Sequence, residues 1–324
     1  MPYNDWAAER LQGMATAAQE LTRLGLDRSR RIDVYRVIED VGISLMFQPM
    51  RELYGALIRE GTHTGIMVNN QHPVGLRRYT AAHEFGHWAL GHEALLDTQE
   101  QVENSGMDPR EIAAQAFAGA FLMPAPLLNS IPAIDLSNPD ELYQAAVRFG
   151  VTYSALLTQL TTVGRITWSD RDRLARKTPK QLKTRATNGL QLSNPWRDVW
   201  VVRHKEDLQD LCLSEDDEVH LYLEETPSSG YIWWTTGAGA SAMFVDEYIS
   251  GDTGDAIGSR CVRHLGARAT RDGKRIVLTL SRSAVGDDAA GKLVVPTATS
   301  DEAILGDARG LAPHAQRLLL AARA

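Results

Sequence analysis

A chain of 324 residues that is 44% hydrophobic and 23% charged can bury a sizeable core, and its length suggests two domains. The formal net charge of −7 argues against a protein that is basic all over and coats nucleic acid, and two cysteines, Cys212 and Cys261, are too few for a disulfide framework. The opening Met1-Pro2-Tyr3-Asn4-Asp5-Trp6 has neither a basic n-region nor an apolar h-region, and no uncharged apolar run reaches about 18 residues, so the expectation is a cytoplasmic protein without a membrane span.

From Asn4 to about Leu24, Trp6, Leu11, Met14, Leu21 and Leu24 recur at helical spacing, and Ile32 to Val41 repeats the pattern. After Gly42 come three short apolar runs, Ile43 to Phe47, Gly55 to Ile58 and Gly65 to Val68, separated by Pro, Gly, Thr and Asn. They read as strands of a small sheet. Residues 74 to 90 read as a helix, in which Gly86 costs about 1 kcal/mol against alanine and so hints at a close backbone approach. The strand Gly65 to Asn69, just before that helix, is expected to offer an edge to an extended peptide.

A polar stretch from Ala94 to Gly106 leads to Asp108-Pro109-Arg110-Glu111, an N-cap Asp with Pro at the first helical position. That helix should run to Met123 and stop at Pro124. Further helices are expected over Pro139 to Phe149 and Thr152 to Val163, completing a first domain over residues 1–187. Arg165, Arg171, Arg173, Arg176, Lys177, Lys180, Lys183 and Arg185 then form a basic run broken by Asp170 and Asp172, read as a solvated face or linker. From residue 195 onward alternation takes over. Val199 to Val202, Val219 to Leu223, Tyr231 to Trp234, Ser259 to Val262 and Ile276 to Leu280 are β-like, which suggests a sandwich or barrel in a second domain over 195–324. A last amphipathic helix is expected over Ala312 to Arg323.

The most specific stretch is His83-Glu84-Phe85-Gly86-His87. Residues four apart on a helix lie about 40° from each other, so both imidazoles can reach one ion from one face. Glu84 projects beside them as a candidate general base for a metal-activated water. A catalytic zinc needs a third protein ligand, and the candidates are His92, Glu93, Glu103 and Glu111. On an unbroken helix His92 would face away from His83. Glu111, 24 residues after His87 on the next helix, suits a site closed by a carboxylate, although it could instead complete a capping box with Asp108. Tyr79, Arg78 and His63 are candidates for an oxyanion donor, each with a structural role as its alternative.

Arg77-Arg78-Tyr79-Thr80-Ala81-Ala82-His83-Glu84-Phe85-Gly86-His87, Glu111-Ile112-Ala113-Ala114-Gln115-Ala116-Phe117-Ala118 and Phe121-Leu122-Met123-Pro124 together resemble the ImmA/IrrE family of metallopeptidases. Phe149-Gly150-Val151-Thr152 with Ala155-Leu156-Leu157 and Leu160 is similar to the family's helical tail, so the resemblance covers about residues 5 to 180. It implies a cytoplasmic zinc-dependent endopeptidase with His83, His87 and Glu111 on the metal and Glu84 as general base, another divalent metal being possible. It also implies a protein substrate, a helix-turn-helix transcriptional repressor. The family's Glu-x-Glu-Ala-Asn is here Glu111-Ile112-Ala113-Ala114-Gln115.

In the second domain, Asp217-Glu218-Val219, Thr226-Pro227-Ser228-Ser229-Gly230-Tyr231-Ile232-Trp233 and Gly254 to Gly258 resemble chagasin-like cysteine-protease inhibitors of immunoglobulin-like fold. That family's third, Arg-Pro-Trp loop is replaced by Ser281-Arg282-Ser283-Ala284, and Pro227 to Gly230 can equally be a plain hairpin turn. The expected fold class is therefore α+β, a mostly helical zincin-like domain with a small sheet followed by an immunoglobulin-like sandwich that binds a protein or peptide. Two rival functions stay open: a DNA- or partner-binding regulator with a structural metal, carried by the basic run, and a cysteine-protease inhibitor.

Overall fold

Capping residues set where the helices begin. In the computed structural model, which describes residues 6–51, 53–92, 96–98, 108–130, 134–209, 211–236, 243–250, 258–270, 273, 275–282, 289–298 and 310–311, Asp33 accepts from the backbone N–H of Arg36 to open α2 (Val34–Asp40). It follows α1 (Ala7–Arg23). Asn138 opens α6 (Pro139–Phe149), Gly150 closes it in the left-handed conformation at φ 65°, and Thr152 caps α7 (Tyr153–Thr162). Between them and α3 (Val74–Ala89) lie α4 (Pro109–Leu122) and the short α5 (Ala125–Ser130), which starts just after the proline that ends α4 and was not foreseen from sequence.

Contacts divide the chain into two compact units, Met1–Thr178 with Leu305–Ala324, and Pro179–Ile304. The first contains a mixed sheet of β1 (Ser44–Gln48), β2 (Leu53–Glu60), β3 (His63–Asn69), β4 (Leu96–Thr98) and β12 (Gly310–Leu311), ordered β12-β1-β3-β2-β4. Among the described strands of this sheet, only β1 and β3 pair in parallel. The expectation that Gly65 to Asn69 is an edge is overturned: β3 pairs with β1 from Gly65 to Asn69 and with β2 from His63 to Val68. Ile66 and Val68 are fully buried, as an inner strand requires. Among the described residues the edges are β12 and β4, the latter inside the stretch read as a polar loop.

Glycines let the layers close up. On α1, a Cβ at Gly13 would stand 2.0 Å from the carbonyl oxygen of Ala113 on α4, and one at Gly86 on α3 would stand 2.9 Å from the Phe117 ring. What comes close to Gly86 is thus the Phe117 side chain and not a neighbouring backbone, and Phe85, Phe117 and Phe121 pack beside it with ring centroids 5.4 to 5.7 Å apart.

The basic run folds into α8 (Trp168–Ala175) and α9 (Pro179–Ala186), the first opened by a capping box between Thr167 and Asp170. Leu174 and Leu182 bury one side of these helices while most of the cations stay exposed. Lys183 is different: it is buried, and its Nζ donates to the carbonyls of Pro195 (3.1 Å) and Arg197 (2.6 Å).

In the second unit, β5 (Val199–Val202), β6 (Glu218–Glu225), β9 (Cys261–Arg268) and β8 (Met243–Ser250) form one sheet in that order. A second sheet has the order β11 (Gly291–Val295), β10 (Ile276–Ser281), β7 (Ile232–Thr236). The chain is therefore mixed α+β, helical at first and rich in sheet later. Pro227 to Gly230 is a single 3-10 turn closed by Gly230 at φ 81° between the bridged residues Thr226 and Tyr231. Glu93 and Glu103, residues 254–257 of the glycine-rich stretch, Ser283 with Ala284, and the helix expected over Ala312 to Arg323 lie outside the described residues. No described helix is long and apolar enough to cross a membrane.

Candidate metal centre

The centre is built where α3 meets the first turn of α4. Nε2 of His83 lies 3.0 Å from Nε2 of His87 and 3.1 Å from Oε2 of Glu111, and Nε2 of His87 lies 3.2 Å from Oε1 of Glu111. All three residues are buried. Four ligands at about 2.0 Å around a tetrahedral zinc stand about 3.3 Å from one another, close to the spacing of this triangle. Two imidazoles and one carboxylate, a donor set suited to zinc, converge on one point, so the residues present fit that ion. Burial opposes ionisation of Glu111, but hydrogen bonds from His83 and His87 outweigh it and hold the carboxyl well below the usual range.

Glu111 is available because Asp108 handles the cap by itself. The Asp108 carboxylate accepts from the backbone N–H of Arg110 at 2.8 Å and from the Arg110 guanidinium at 2.9 Å. Glu111 turns inward to the histidines instead of back to the cap. The rival capping-box role is thus not the one this side chain plays.

Glu84 is 1% exposed, on the same helix as the two histidines. Facing it is Gly55 of β2, where a Cβ would stand 2.4 Å from Cγ2 of Thr80 and 3.0 Å from Oε1 of Glu84. The strand can lie this close to the glutamate only without a side chain at that position.

His92 is near the centre but does not join the triangle. Helix α3 stops at Ala89, Gly91 takes φ 75°, and the chain turns back so that Nδ1 of His92 lies 2.8 Å from Nδ1 of His87. The helix ends where the sequence reading ended it, near residue 90, so the outward orientation that an unbroken helix would give His92 does not arise. Burial, aided by His87 and Arg110, pushes His92 down to about 4.

The three oxyanion candidates have other partners or lie elsewhere. Arg78 is fully buried and donates to the carbonyls of Gly150 (2.9 Å) and Ile32 (2.6 Å), tying α3 to the approaches of its neighbours. Tyr79 donates to the carbonyl of Gln115 at 3.3 Å, and burial pushes its phenol up to about 12. His63 is exposed at the start of β3.

Residues 38–161 match the model of a protein family, Peptidase_M78, described as the IrrE N-terminal-like domain. The match spans α3 and α4 and therefore all three converging side chains. No curated protein matches the chain.

Proposed function

Since residues 38–161 carry an IrrE N-terminal-like metallopeptidase domain, we propose that the protein is a zinc-dependent endopeptidase in which His83, His87 and Glu111 hold the metal and Glu84 is the general base. The observation that carries this reading is the convergence of three buried ligand atoms from two helices, with the buried Glu84 next to His83 in the chain. Zinc held there supplies Lewis acidity toward a scissile carbonyl and brings the pKa of a water to about 7.

The residues of the chain do the rest. Glu84 takes the proton of the attacking water and passes it to the leaving amine, a transfer worth about 10²–10⁴-fold in rate. Its surroundings support the assignment: β2 passes close to the carboxylate at Gly55, where a side chain would press on it. The substrate we assign is a helix-turn-helix transcriptional repressor, on the strength of the family resemblance, and the site of action is the cytoplasm. The second unit is read as an immunoglobulin-like domain that binds a protein or peptide; its two sheets support the reading.

Purified protein loaded with zinc and incubated with a small helix-turn-helix repressor tests the proposal by mass spectrometry of the products. Cleavage at one bond is expected, and Glu111→Ala should abolish both cleavage and stoichiometric zinc. A Glu111→Ala protein that keeps its zinc would remove Glu111 from the ligand set.

A further inference from the structure

We infer that His92 is the positioning residue of the metal centre: it accepts the Nδ1 proton of His87 and thereby fixes the tautomer and ring orientation in which Nε2 of His87 faces His83 and Glu111. The inference rests on the metallopeptidase reading above.

It begins with how α3 ends. The N–H of Gly91 donates to the carbonyl of Trp88 at 3.1 Å, and the N–H of His92 donates to the carbonyl of His87 at 2.9 Å. These are the two bonds of a Schellman motif, with Gly91 as its left-handed residue. The motif commonly brings the side chain after the glycine against the side chain five positions earlier, usually as an apolar contact. Here those two side chains are His92 and His87, and their ring centroids are 5.0 Å apart. Nothing lies within 4 Å of where a Cβ on Gly91 would stand, so backbone conformation rather than space calls for glycine there.

Proton accounting then assigns the direction of the 2.8 Å contact between the two Nδ1 atoms. A neutral imidazole has one N–H and one lone pair. Nε2 of His87 points at His83 and Glu111, so to bind a cation it must present its lone pair, which leaves the proton on Nδ1. His87 is fully buried, and a buried N–H needs an acceptor. Nδ1 of His92 supplies it, with the proton of His92 on Nε2. In the reverse arrangement His92 would donate, and the Nε2 proton of His87 would point into the triangle and block ligation. Outer partners of metal-bound histidines are commonly carboxylates, carbonyls or water. A neutral imidazole does the same work without adding charge.

Zinc affinity of the full chain, measured by competition with a chromophoric chelator, tests this. His92→Phe keeps the ring and removes the acceptor, and should weaken zinc binding about 10–100-fold. His92→Asn puts an amide oxygen near the place of Nδ1 and should restore most of that loss. A His92→Phe protein that binds zinc as tightly as the wild type would overturn the inference alone, whereas a wild type that binds no zinc would overturn the metallopeptidase reading with it. A measurement on the unaltered protein removes any dependence on how the variants fold. Nitrogen-15 spectra of the zinc-loaded chain should show His87 protonated at Nδ1 and metal-bound at Nε2, and ligation through Nδ1 would refute the assignment.

Discussion

Gly55 shows how closely single residues constrain the centre. Because a Cβ there would collide with Thr80 and press on Glu84, Gly55→Ala should lower stability by about 1–3 kcal/mol and impair cleavage more than zinc binding. Thermal melts, zinc titration and a cleavage assay on the same preparation separate the effects, and unchanged cleavage would show that Glu84 is not held by this contact. At this scale much was legible. The spacing of His83, Glu84 and His87 places them on one helix, and Glu111 follows on the next helix with Asp108 left free to cap. His92 was not legible in the same way: the helix was read as ending at residue 90, but that end alone does not say where the turn at Gly91 sends the next side chain. The αL preference of glycine just past a helix end is the signal that would have found it.

At the scale of elements, the register of alternation decides what a strand does. Strand β6 buries Val219 and Leu221 on one side and Glu218, His220 and Tyr222 on the other. On that second side Nδ1 of His220 lies 2.7 Å from Nε2 of His264, Nε2 of His220 3.1 Å from Glu218, and Nδ1 of His264 3.2 Å from Glu247. Tyr222 stacks on His264, and Arg203 lies over Tyr222. Burial pushes His264 below its ordinary 6.5, against the pull of Glu247. Burial opposes ionisation of Glu218, but hydrogen bonds from His220 and Ser193 hold it below its ordinary 4.5, and hydrogen bonds from His264 and Asn188 do the same for Glu247. Each folded value lies below the unfolded one, so the stability these groups contribute is present above the unfolded values and is lost as pH falls through the folded ones. The melting temperature of the second unit should therefore fall as pH drops below about 6.5, and His264→Gln should flatten the upper part of that fall. A melting temperature that rises on acidification would contradict the assignment.

Helices α1, α2, α3, α4, α6 and α7 were legible from their residue pattern, and Asp108 marked the start of α4. Sheet order was not. Nothing in Gly65 to Asn69 says that β1 pairs beside it in parallel.

For the whole molecule, the mixed α+β character and the family matched over residues 38–161 followed from the sequence, as did the change from helix to sheet. What sequence could not show is that Gly310–Leu311 pairs with β1, a contact across most of the chain's length. Two compact units, one of them carrying the candidate metal centre, should unfold in separable transitions. Zinc at about 100 times its dissociation constant stabilises the state that binds it by about 2.7 kcal/mol. Calorimetry should then show the transition of the first unit raised by zinc and that of the second unmoved, and a shift of both would mean that the units unfold together.

In the proposed mechanism Glu84 moves the proton, and the two histidines with Glu111 hold the metal. Glu84→Gln separates those roles when zinc content and repressor cleavage are measured on one preparation beside the wild type. One zinc per chain is expected in both proteins, with cleavage reduced about 10²–10⁴-fold in the variant. Cleavage at the wild-type rate by the zinc-loaded variant would contradict it.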